Sequence, residues 1–451
     1  MKIEERLPEG FRRYFTSVSW LFVERVVSMG IAFAIGTVTA NQLGSEDYGK
    51  FNFARAFASI ITVFVPLGLN GILSRNLINN PEKRDLIMGT AFTARLCASL
   101  VSVLAVAAAS ISFNRLQWHD DLKMWMVMIA ALPVVFESFN FLGDYSITHV
   151  QAKYHAYGEF AKTIVSSIIK IFMLFVFDSP VIWFTVVLVV DAIVYDIVAI
   201  TVYTKKFKLD IFKWRASWSY AMEMLRESWP LVLAGFAVAV YMKIDQLMIQ
   251  PILGDSGVGL YSAALRISES TYFVPAVICN ALFPAVIAAR KESAVFFTER
   301  MQKLMDLMVL IGFGIAIPVT IMSPWIFRNL YAPEYASAQT VLIIHIWSGI
   351  MVGLGLAGSS WLTANNLQRY SLNRTIWGAV INFGLNLFMI PWLGINGAAI
   401  STLVAQAAAS YLSNYISPLT RPLFFMQTKS LFGFGFLSPI RDILGNKAMK
   451  L

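Results

Sequence analysis

Residues 43–54 read LGSEDYGKFNFA, and residues 253–264 read LGDSGVGLYSAA. A leucine, two glycines and an alanine coincide at a constant offset of 210 residues, and an arginine follows each copy, as Arg55 and Arg266. Each copy comes directly after the first long apolar segment of its half of the chain. The matching positions indicate an internal repeat and therefore two related halves.

Apolar segments flank both copies. Hydrophobic residues make up 57% of the 451 residues and charged residues only 14%, whereas soluble domains carry about 25% charged residues. A helix needs ~20 residues to cross a hydrocarbon core of about 30 Å. Twelve segments approach that length: 17–42, 51–73, 87–112, 124–147, 163–177, 181–204, 228–250, 263–287, 304–323, 338–360, 376–391 and 396–417. This composition excludes a disordered chain and a soluble enzyme and predicts an all-α integral membrane protein.

Lysine and arginine are distributed unevenly between alternate loops. The set of loops that includes both termini carries 26 of the 36 basic residues, and the opposite set carries 4. Excess positive charge stays on the cytoplasmic side, so both termini are predicted to be cytoplasmic. The net charge of +9 is therefore mainly a topology signal, and no nucleic-acid partner is expected.

The longest loop, at 205–227, is basic and aromatic and falls halfway along the chain. It is predicted to be a cytoplasmic linker along the inner leaflet. This linker would separate an N-terminal six-helix lobe at 1–204 from a C-terminal six-helix lobe at 228–417, followed by a cytoplasmic tail at 418–451. Parallel repeats about an axis along the membrane normal would enclose a central cavity, which is a transporter architecture.

Ionisable side chains are numerous inside the predicted spans. Each costs about 2.5–3.5 kcal/mol at the bilayer centre on insertion scales, so such groups face a cavity or a partner. The basic ones are Arg25, Arg55, Arg95, Lys170, Lys243 and Arg266. The acidic ones are Glu24, Glu137, Asp144, Asp191, Asp196, Asp245, Glu269 and Asp306. Together they predict a water-filled polar interior.

Helix spacing suggests where some of these charges go. Arg266 and Glu269 are three residues apart, which permits a local ion pair. Asp144 and Asp306 lie near span ends and are predicted to reach the membrane interface. For each cation, structural pairing and substrate contact both stay open.

Signatures of enzymes are missing. The four histidines show no paired metal spacing, and no phosphate-binding loop of the form G-x-x-x-x-G-K-[ST] occurs. Cys97 and Cys279 lie in apolar stretches, so no disulfide framework is expected. We predict neither an enzyme nor a bound cofactor or metal centre.

Several short segments recur together in a known family. They are Ser19–Phe22, the loop from Leu43 to Gly49, KIDQLM at 243–248, VGLYSAA at 258–264 with Phe283-Pro284 downstream, YAPEY at 331–335 and GINGAAIST at 394–402. In this order, over about residues 15 to 417, the chain resembles bacterial polysaccharide flippases. These form the polysaccharide-transporter branch of the multidrug/oligosaccharidyl-lipid/polysaccharide exporter superfamily, typified by O-antigen flippases.

The resemblance implies a substrate and a cellular location. The fold would be two six-helix lobes in the bacterial inner membrane. The substrate would be an undecaprenyl-diphosphate-linked oligosaccharide, an O-antigen or related surface-glycan repeat unit, moved from the cytoplasmic to the periplasmic leaflet. Implied partners are membrane lipids and the glycan polymerase and ligase machinery of lipopolysaccharide assembly.

The peptidoglycan-precursor flippase of the same superfamily is similar in its cavity arginines. The matching positions here are Arg25, Arg55 and Arg266, with Glu24 beside the first. That relative has two extra C-terminal helices, which argues against a peptidoglycan precursor as the substrate.

These positions lead to a binding hypothesis. Guanidinium groups bind phosphate oxygens in bidentate fashion and stay charged. We therefore expect Arg55 and Arg266 to hold the diphosphate from opposite lobes, with Arg25 deeper and Lys243 as a further substrate-binding cation. Candidates for ion coupling or charge pairing are Glu24, Glu137, Asp191, Asp196, Asp245 and Glu269. The sequence leaves Na⁺, H⁺ and the membrane potential open as the energy source.

Two other functions remain. A multidrug cation antiporter of the same superfamily would share the fold but favour acidic pockets. A membrane-embedded glycan polymerase or transferase would show a long acid-rich outer loop, and none is present.

Overall fold

The protein is described by a computed structural model that covers residues 9–433 and 435, and every regular element within these residues is helical. The first eight α-helices are α1 (Glu9–Thr62), α2 (Asn70–Asn79), α3 (Arg84–Phe113), α4 (Asp121–Ala131), α5 (Pro133–Phe136), α6 (Phe141–Thr148), α7 (Lys153–Phe175) and α8 (Ile182–Thr201). The others are α9 (Trp218–Ser270), α10 (Phe273–Glu292), α11 (Ala294–Asn329), α12 (Ala338–His345), α13 (Ser348–Ala364), α14 (Gln368–Leu393), α15 (Ile395–Ala407), α16 (Ser413–Ile416) and α17 (Arg421–Phe432). The prediction of an all-α membrane protein is confirmed.

Eight helical segments of the described chain are long and apolar enough to cross a membrane. Two of them, Ser19–Thr62 and Trp218–Arg290, contain 44 and 73 residues, more than the ~20 that one crossing needs. The fifth and eleventh predicted spans, the shortest in the sequence, lie in helices of 23 and 26 residues, α7 and α14. The number of twelve spans stays a prediction.

Two compact units divide the chain. The first unit contains Met1–Leu43 and Lys50–Ala239, and the second contains Gly44–Gly49 and Val240–Leu451. The boundary near residue 239 lies inside α9, and the short segment 44–49 of α1 belongs to the second unit. The lobe and linker limits given above remain predictions.

The repeat corresponds to two helix breaks of the same shape. α1 is interrupted at Gly44, with φ 74° and ψ 168°, and α9 at Gly254, with φ 75° and ψ −175°. Positive φ is costly for side chains with a Cβ and free for glycine. The shared Leu-Gly therefore marks the same backbone turn in both copies.

Each unit has its own apolar core. In the first unit, side chains of α2, α3, α6 and α8 pack together around Leu73, Met88 and Phe141. In the second unit, the core lies between α10, α11, α13 and α17, with Met305 and Leu354 fully buried. Small residues on α13 permit this close packing, as expected where dispersion rather than water drives helix association.

The C-terminal part of the chain packs into the second unit. Its helix α17 has 12 residues, too few to cross a bilayer, and Ser430 Oγ donates to Asp306 Oδ1 at 2.6 Å. The prediction that Asp306 reaches the interface is wrong, because this side chain is 4% exposed and held by α17. The predicted tail beyond α17, at 434 and 436–451, lies outside the described residues.

Candidate functional site

Two of the predicted substrate-binding arginines lie on α1. Arg25 and Arg55 are both exposed although they lie within apolar stretches of this helix. The guanidinium carbon of Arg55 lies 5.6 Å from the centroid of the Phe51 ring, within range of a cation–π contact. Both cations remain accessible to a ligand rather than enclosed in the core of the first unit.

Arg266 and Lys243 lie on α9 in the second unit. Arg266 Nη1 donates to the hydroxyl of Tyr48 at 3.4 Å, and Tyr48 belongs to the 44–49 segment of the same unit. Lys243 Nζ lies 3.5 Å from Glu269 Oε2. Glu269 therefore pairs with Lys243 across the break of α9 at Gly254. Its spacing on the helix would also allow a pair with Arg266.

The segment 44–49 is held by a carboxylate. Glu334 Oε1 accepts from the backbone N–H of Ser45 at 3.2 Å, and Oε2 accepts from Ser45 Oγ at 3.0 Å. Ser45 Oγ also lies 2.8 Å from Ser256 Oγ. Glu334 of the YAPEY segment thus holds the first repeat copy, and Ser45 joins that copy to the second within the second unit.

Asp245 lies at the centre of a buried polar network. Its carboxylate accepts hydrogen bonds from Tyr261 Oη at 2.5 Å, from Asn386 Nδ2 at 2.6 Å and from Thr402 Oγ1. Asp245 is 4% exposed, and Tyr261 and Asn386 are fully buried. Among the described residues, no basic side chain lies within ion-pair distance of Asp245, so neutral donors alone stabilise its charge.

The same network contains an acceptor without a partner. Asn382 and Asn386 are one turn apart on α14, and Asn386 Nδ2 also lies 3.2 Å from Asn382 Oδ1. The Asn386 Oδ1 atom is buried and has no hydrogen-bond partner. Carboxylate, amide and hydroxyl oxygens are the ligands of hard cations such as Na⁺ and Ca²⁺. The arrangement around Asp245 can therefore accept a small cation or a proton.

A second chain of polar contacts lies beside this network. His345 on α12 is buried, and its Nδ1 lies 2.8 Å from Ser268 Oγ. The ring of His345 meets Tyr261 edge-on at 6.4 Å between centroids. Tyr261 thus contacts both Asp245 and His345, which links the network on α9 to α12.

The predicted carboxylates of the first unit are spread over three helices. Glu24 on α1 is buried, and Asp191 and Asp196 lie on α8. Neither oxygen of Asp196 has a hydrogen-bond partner, and Oδ1 of Asp191 also has none. Glu137 lines a cavity of about 200 Å³ together with Asp144 and Arg95. The structure places these acids in the first unit and Asp245 and Glu269 in the second.

Three residues were not identified as site residues from the sequence: Asn382, Asn386 and Thr402, which form the surroundings of Asp245. Arg95 was identified as a cation within a predicted span but was given no role, and it lines the cavity of the first unit. A signal existed for the two asparagines, because amides four residues apart share one face of a helix, and both lie within a predicted span. Thr402 carries no such signal, since threonine is common in membrane helices.

The fold is that of a known class of membrane transport proteins. The structure matches an inward-facing multidrug resistance MATE family transporter of the MOP superfamily, with a TM-score of 0.71, 14% identity, and coverage of 94% of this chain and 96% of that one. It also matches the lipid II flippase MurJ in an inward closed conformation, with a TM-score of 0.67, 13% identity and coverage of 95% and 93%. These matches show that the chain has the same helical fold as these two membrane transport proteins.

The family follows from the sequence comparison. The family model described as "Polysaccharide biosynthesis protein" matches residues 15–289, and the chain belongs to this family. A relative from Haloferax volcanii, named a probable low-salt glycan biosynthesis flippase, Agl15, is 21% identical over 88% of this chain and 83% of its own length. The uncharacterized membrane protein MJ1068 of Methanocaldococcus jannaschii is 24% identical over 86% and 80%. The resemblance to polysaccharide flippases is confirmed at the level of the family.

Proposed function

We propose that this protein is a flippase that moves a lipid-linked oligosaccharide from the cytoplasmic to the outer leaflet during glycan assembly. Membership of the polysaccharide biosynthesis family supports the glycan, and the name of the Haloferax volcanii relative supports flipping. The observation that carries the proposal is the exposure of Arg25 and Arg55 within segments of α1 that are predicted to span the membrane. A cation at that depth is costly unless it meets water or an anion.

The anionic part of the substrate is proposed to be a diphosphate. Its oxygens must leave bulk water during transfer, and guanidinium groups replace that hydration with charge-assisted hydrogen bonds. Arg55 from the first unit and Arg266 from the second are the proposed ligands, with Arg25 and Lys243 as further cations. Tyr48, which accepts from Arg266, and Glu269, which pairs with Lys243, fix these side chains before substrate arrives.

Undecaprenyl diphosphate is the proposed carrier lipid, and the lipid tail would stay in the bilayer while the headgroup passes. The resemblance to bacterial polysaccharide flippases leads us to propose the bacterial inner membrane, and the loop charges lead us to propose that both termini are cytoplasmic. An O-antigen or related repeat unit is the proposed glycan. Polymerase and ligase enzymes of lipopolysaccharide assembly would then receive the flipped product.

Energy coupling is proposed to lie at Asp245. Of the six carboxylates considered, Asp245 alone is described with three hydrogen-bond donors and an adjacent unpartnered oxygen, Asn386 Oδ1. A Na⁺ ion or a proton bound there would change the charge of a fully enclosed group. Tyr261, which donates to Asp245, lies on α9 five residues before Arg266, so a change of charge at the carboxylate would alter the contacts of the helical segment that carries the substrate cation.

The test is flipping of a fluorescent undecaprenyl-diphosphate oligosaccharide in proteoliposomes. Wild type should flip it, and the double variant Arg55→Ala/Arg266→Ala should lose most of the activity. Each lost charge-assisted contact removes about 1.5–3 kcal/mol, so the rate should fall roughly a hundredfold or more. The matched control is Arg115→Ala/Arg328→Ala, which removes two exposed arginines outside the predicted spans.

The outcomes separate the parts of the proposal. Equal flipping by wild type and the double variant would reject the arginine ligands but keep the transporter. Absence of flipping by folded wild-type protein, together with efflux of cationic drugs from the same vesicles, would favour the multidrug antiporter instead.

A further inference from the structure

The first unit contains a polar cavity that the diphosphate proposal does not use. Its volume is about 200 Å³, and its walls come from α2, α3, α6, α7 and α8 and from the turn that contains Glu137 and Asn140. Both of these side chains line the cavity and are exposed. A volume of this size accommodates a single sugar ring.

Arg95 supplies the donors of this cavity. It is 2% exposed, and its Nη2 donates to Asn70 Oδ1 at 2.6 Å. Its guanidinium carbon lies 5.6 Å from the Phe141 ring centroid, and its Nε has no hydrogen-bond partner. Within the described residues, no carboxylate oxygen lies within ion-pair distance of Arg95. A buried hydrogen-bond donor without an acceptor costs free energy. An oxygen atom of a ligand in the cavity would supply that acceptor.

The acceptors lie on the other walls. Glu137 and Asp144 line the cavity with free acceptor capacity, whereas Glu159 also contacts Lys162 at 2.7 Å. His155 Nδ1 lies 2.8 Å from the hydroxyl of Tyr195, and both side chains border the same space. The cavity therefore presents donors and acceptors at once, together with an aromatic ring.

We propose that this cavity binds one sugar ring of the transported glycan. This inference rests on the proposed function. Each sugar hydroxyl donates one hydrogen bond and accepts others, which matches a site built from a guanidinium, amides and carboxylates. A diphosphate does not match, because Glu137 and Asp144 would repel it. The glycan thus has a site of its own in the first unit, separate in chemistry from the diphosphate arginines.

A small cation is the competing occupant, and the arrangement of ligands disfavours it. Among the described residues, no group of three or more histidine, cysteine or acidic side chains is arranged to hold a metal ion. Arg95 also places a fixed positive charge in the wall of the cavity. A neutral ligand that hydrogen-bonds to the guanidinium of Arg95 and to the carboxylates avoids this repulsion.

The experiment measures binding of free sugars to the purified full-length protein in detergent. Saturation-transfer difference NMR would be recorded with glucose, galactose, N-acetylglucosamine and glucuronate at millimolar concentration. The cavity variants are Arg95→Gln and Asn140→Leu. The matched control is Arg115→Gln, which removes an exposed arginine just beyond α3. Carbodiimide labelling of Glu137, read by mass spectrometry, would report the place of binding.

Wild type and Arg115→Gln should bind at least one of these sugars, and the bound sugar should protect Glu137 from labelling. Both cavity variants should bind it roughly tenfold more weakly, as expected for one lost hydrogen bond to a charged group. Asn140→Leu keeps the test valid if Arg95→Gln does not fold. Absence of binding by wild type, or equal binding by folded cavity variants, overturns the proposal.

Two further results separate this inference from the proposed function. Sodium binding that depends on Glu137 and Asp144, without sugar binding, would identify a cation site and overturn the sugar site. Flipping of the lipid-linked oligosaccharide by wild type without sugar binding would reject this inference alone. Sugar binding that depends on Arg95 in a protein that does not flip the lipid would keep the site and reject the flippase.

Discussion

Gly49 and Gly259, which occupy the same position in the two copies of the repeat, lie against each other's backbone. A Cβ on Gly49 would overlap the carbonyl of Asp255 and lie 3.0 Å from the amide nitrogen of Gly259. A Cβ on Gly259 would overlap the carbonyl of Ser45 and lie 3.1 Å from the amide nitrogen of Gly49. The contact is reciprocal at the offset of the repeat, so the second shared glycine exists because two backbones touch there.

Gly49→Ala is expected to destabilise the second unit. The added methyl group meets backbone rather than a side chain that can rotate away, and overpacking of this kind costs about 1–3 kcal/mol. We expect a lower melting temperature in detergent, and the same for Gly259→Ala. Gly30→Ala in α1 is the matched control, because nothing lies within 4 Å of its added Cβ. If all three variants have the melting temperature of wild type, the backbone contact is absent from the protein in solution.

Gly254→Ala separates backbone conformation from steric contact. A Cβ at Gly254 would meet nothing within 4 Å, but its φ is +75°. At ψ −175° this is a conformation that essentially only glycine adopts, and it costs a residue with a Cβ about 1–3 kcal/mol. We therefore expect a lower melting temperature than wild type although the added methyl group touches nothing. Gly30→Ala, whose added Cβ also meets nothing, is the control because Gly30 has no positive φ. Equal melting temperatures of Gly254→Ala and Gly30→Ala would contradict the positive φ at Gly254.

The sequence predicted the class of fold from its apolar segments and the helix breaks from its repeat. Gly44, Gly49, Gly254 and Gly259 were all visible as matching positions. The contact between Gly49 and Gly259 was not, because a shared glycine does not reveal whether it serves a turn or a close approach. Only the three-dimensional arrangement distinguishes the two reasons.

The sequence predicted the charged residues of the candidate site but not the side chains that contact them. Asp245 was identified because a carboxylate in an apolar helix is costly. Its neighbours Asn386 and Thr402 lie 141 and 157 residues away along the chain, and their neutral side chains carry no comparable cost. The pairing of Glu269 was ambiguous for another reason, since helix spacing allowed Arg266 and the structure shows Lys243 at 3.5 Å.

Asp245→Asn is expected to abolish the response of flipping to an ion gradient. Asparagine keeps the size of the side chain but cannot carry the charge that binds Na⁺ or H⁺. Wild-type proteoliposomes should flip faster with an inward or outward gradient of the coupling ion, whereas the variant should flip at one rate under all gradients. Separate Na⁺ and pH gradients would identify the ion.

The control for this experiment is Glu223→Gln, which removes an exposed carboxylate at the start of α9. Asn386→Leu tests the surroundings of Asp245, since it removes both a donor at 2.6 Å and the unpartnered oxygen. Its gradient response should shift to roughly tenfold higher ion concentration, the equivalent of about 1.4 kcal/mol. A full gradient response in folded Asp245→Asn would place coupling elsewhere, with Asp196 as the next carboxylate to replace.

Glu334→Ala is expected to loosen the segment 44–49 without unfolding the protein. The carboxylate holds this segment through the amide of Ser45 at 3.2 Å and its hydroxyl at 3.0 Å, and the Ser45–Ser256 contact at 2.8 Å would remain. Deuterium uptake of a peptide covering residues 43–50 should therefore rise roughly tenfold, as about 1.4 kcal/mol of local opening requires. Glu82→Ala, at an exposed acid between α2 and α3, should leave that uptake unchanged. Unchanged uptake in Glu334→Ala as well would mean that other contacts, such as Ser45–Ser256 and Gly49–Gly259, hold the segment without Glu334.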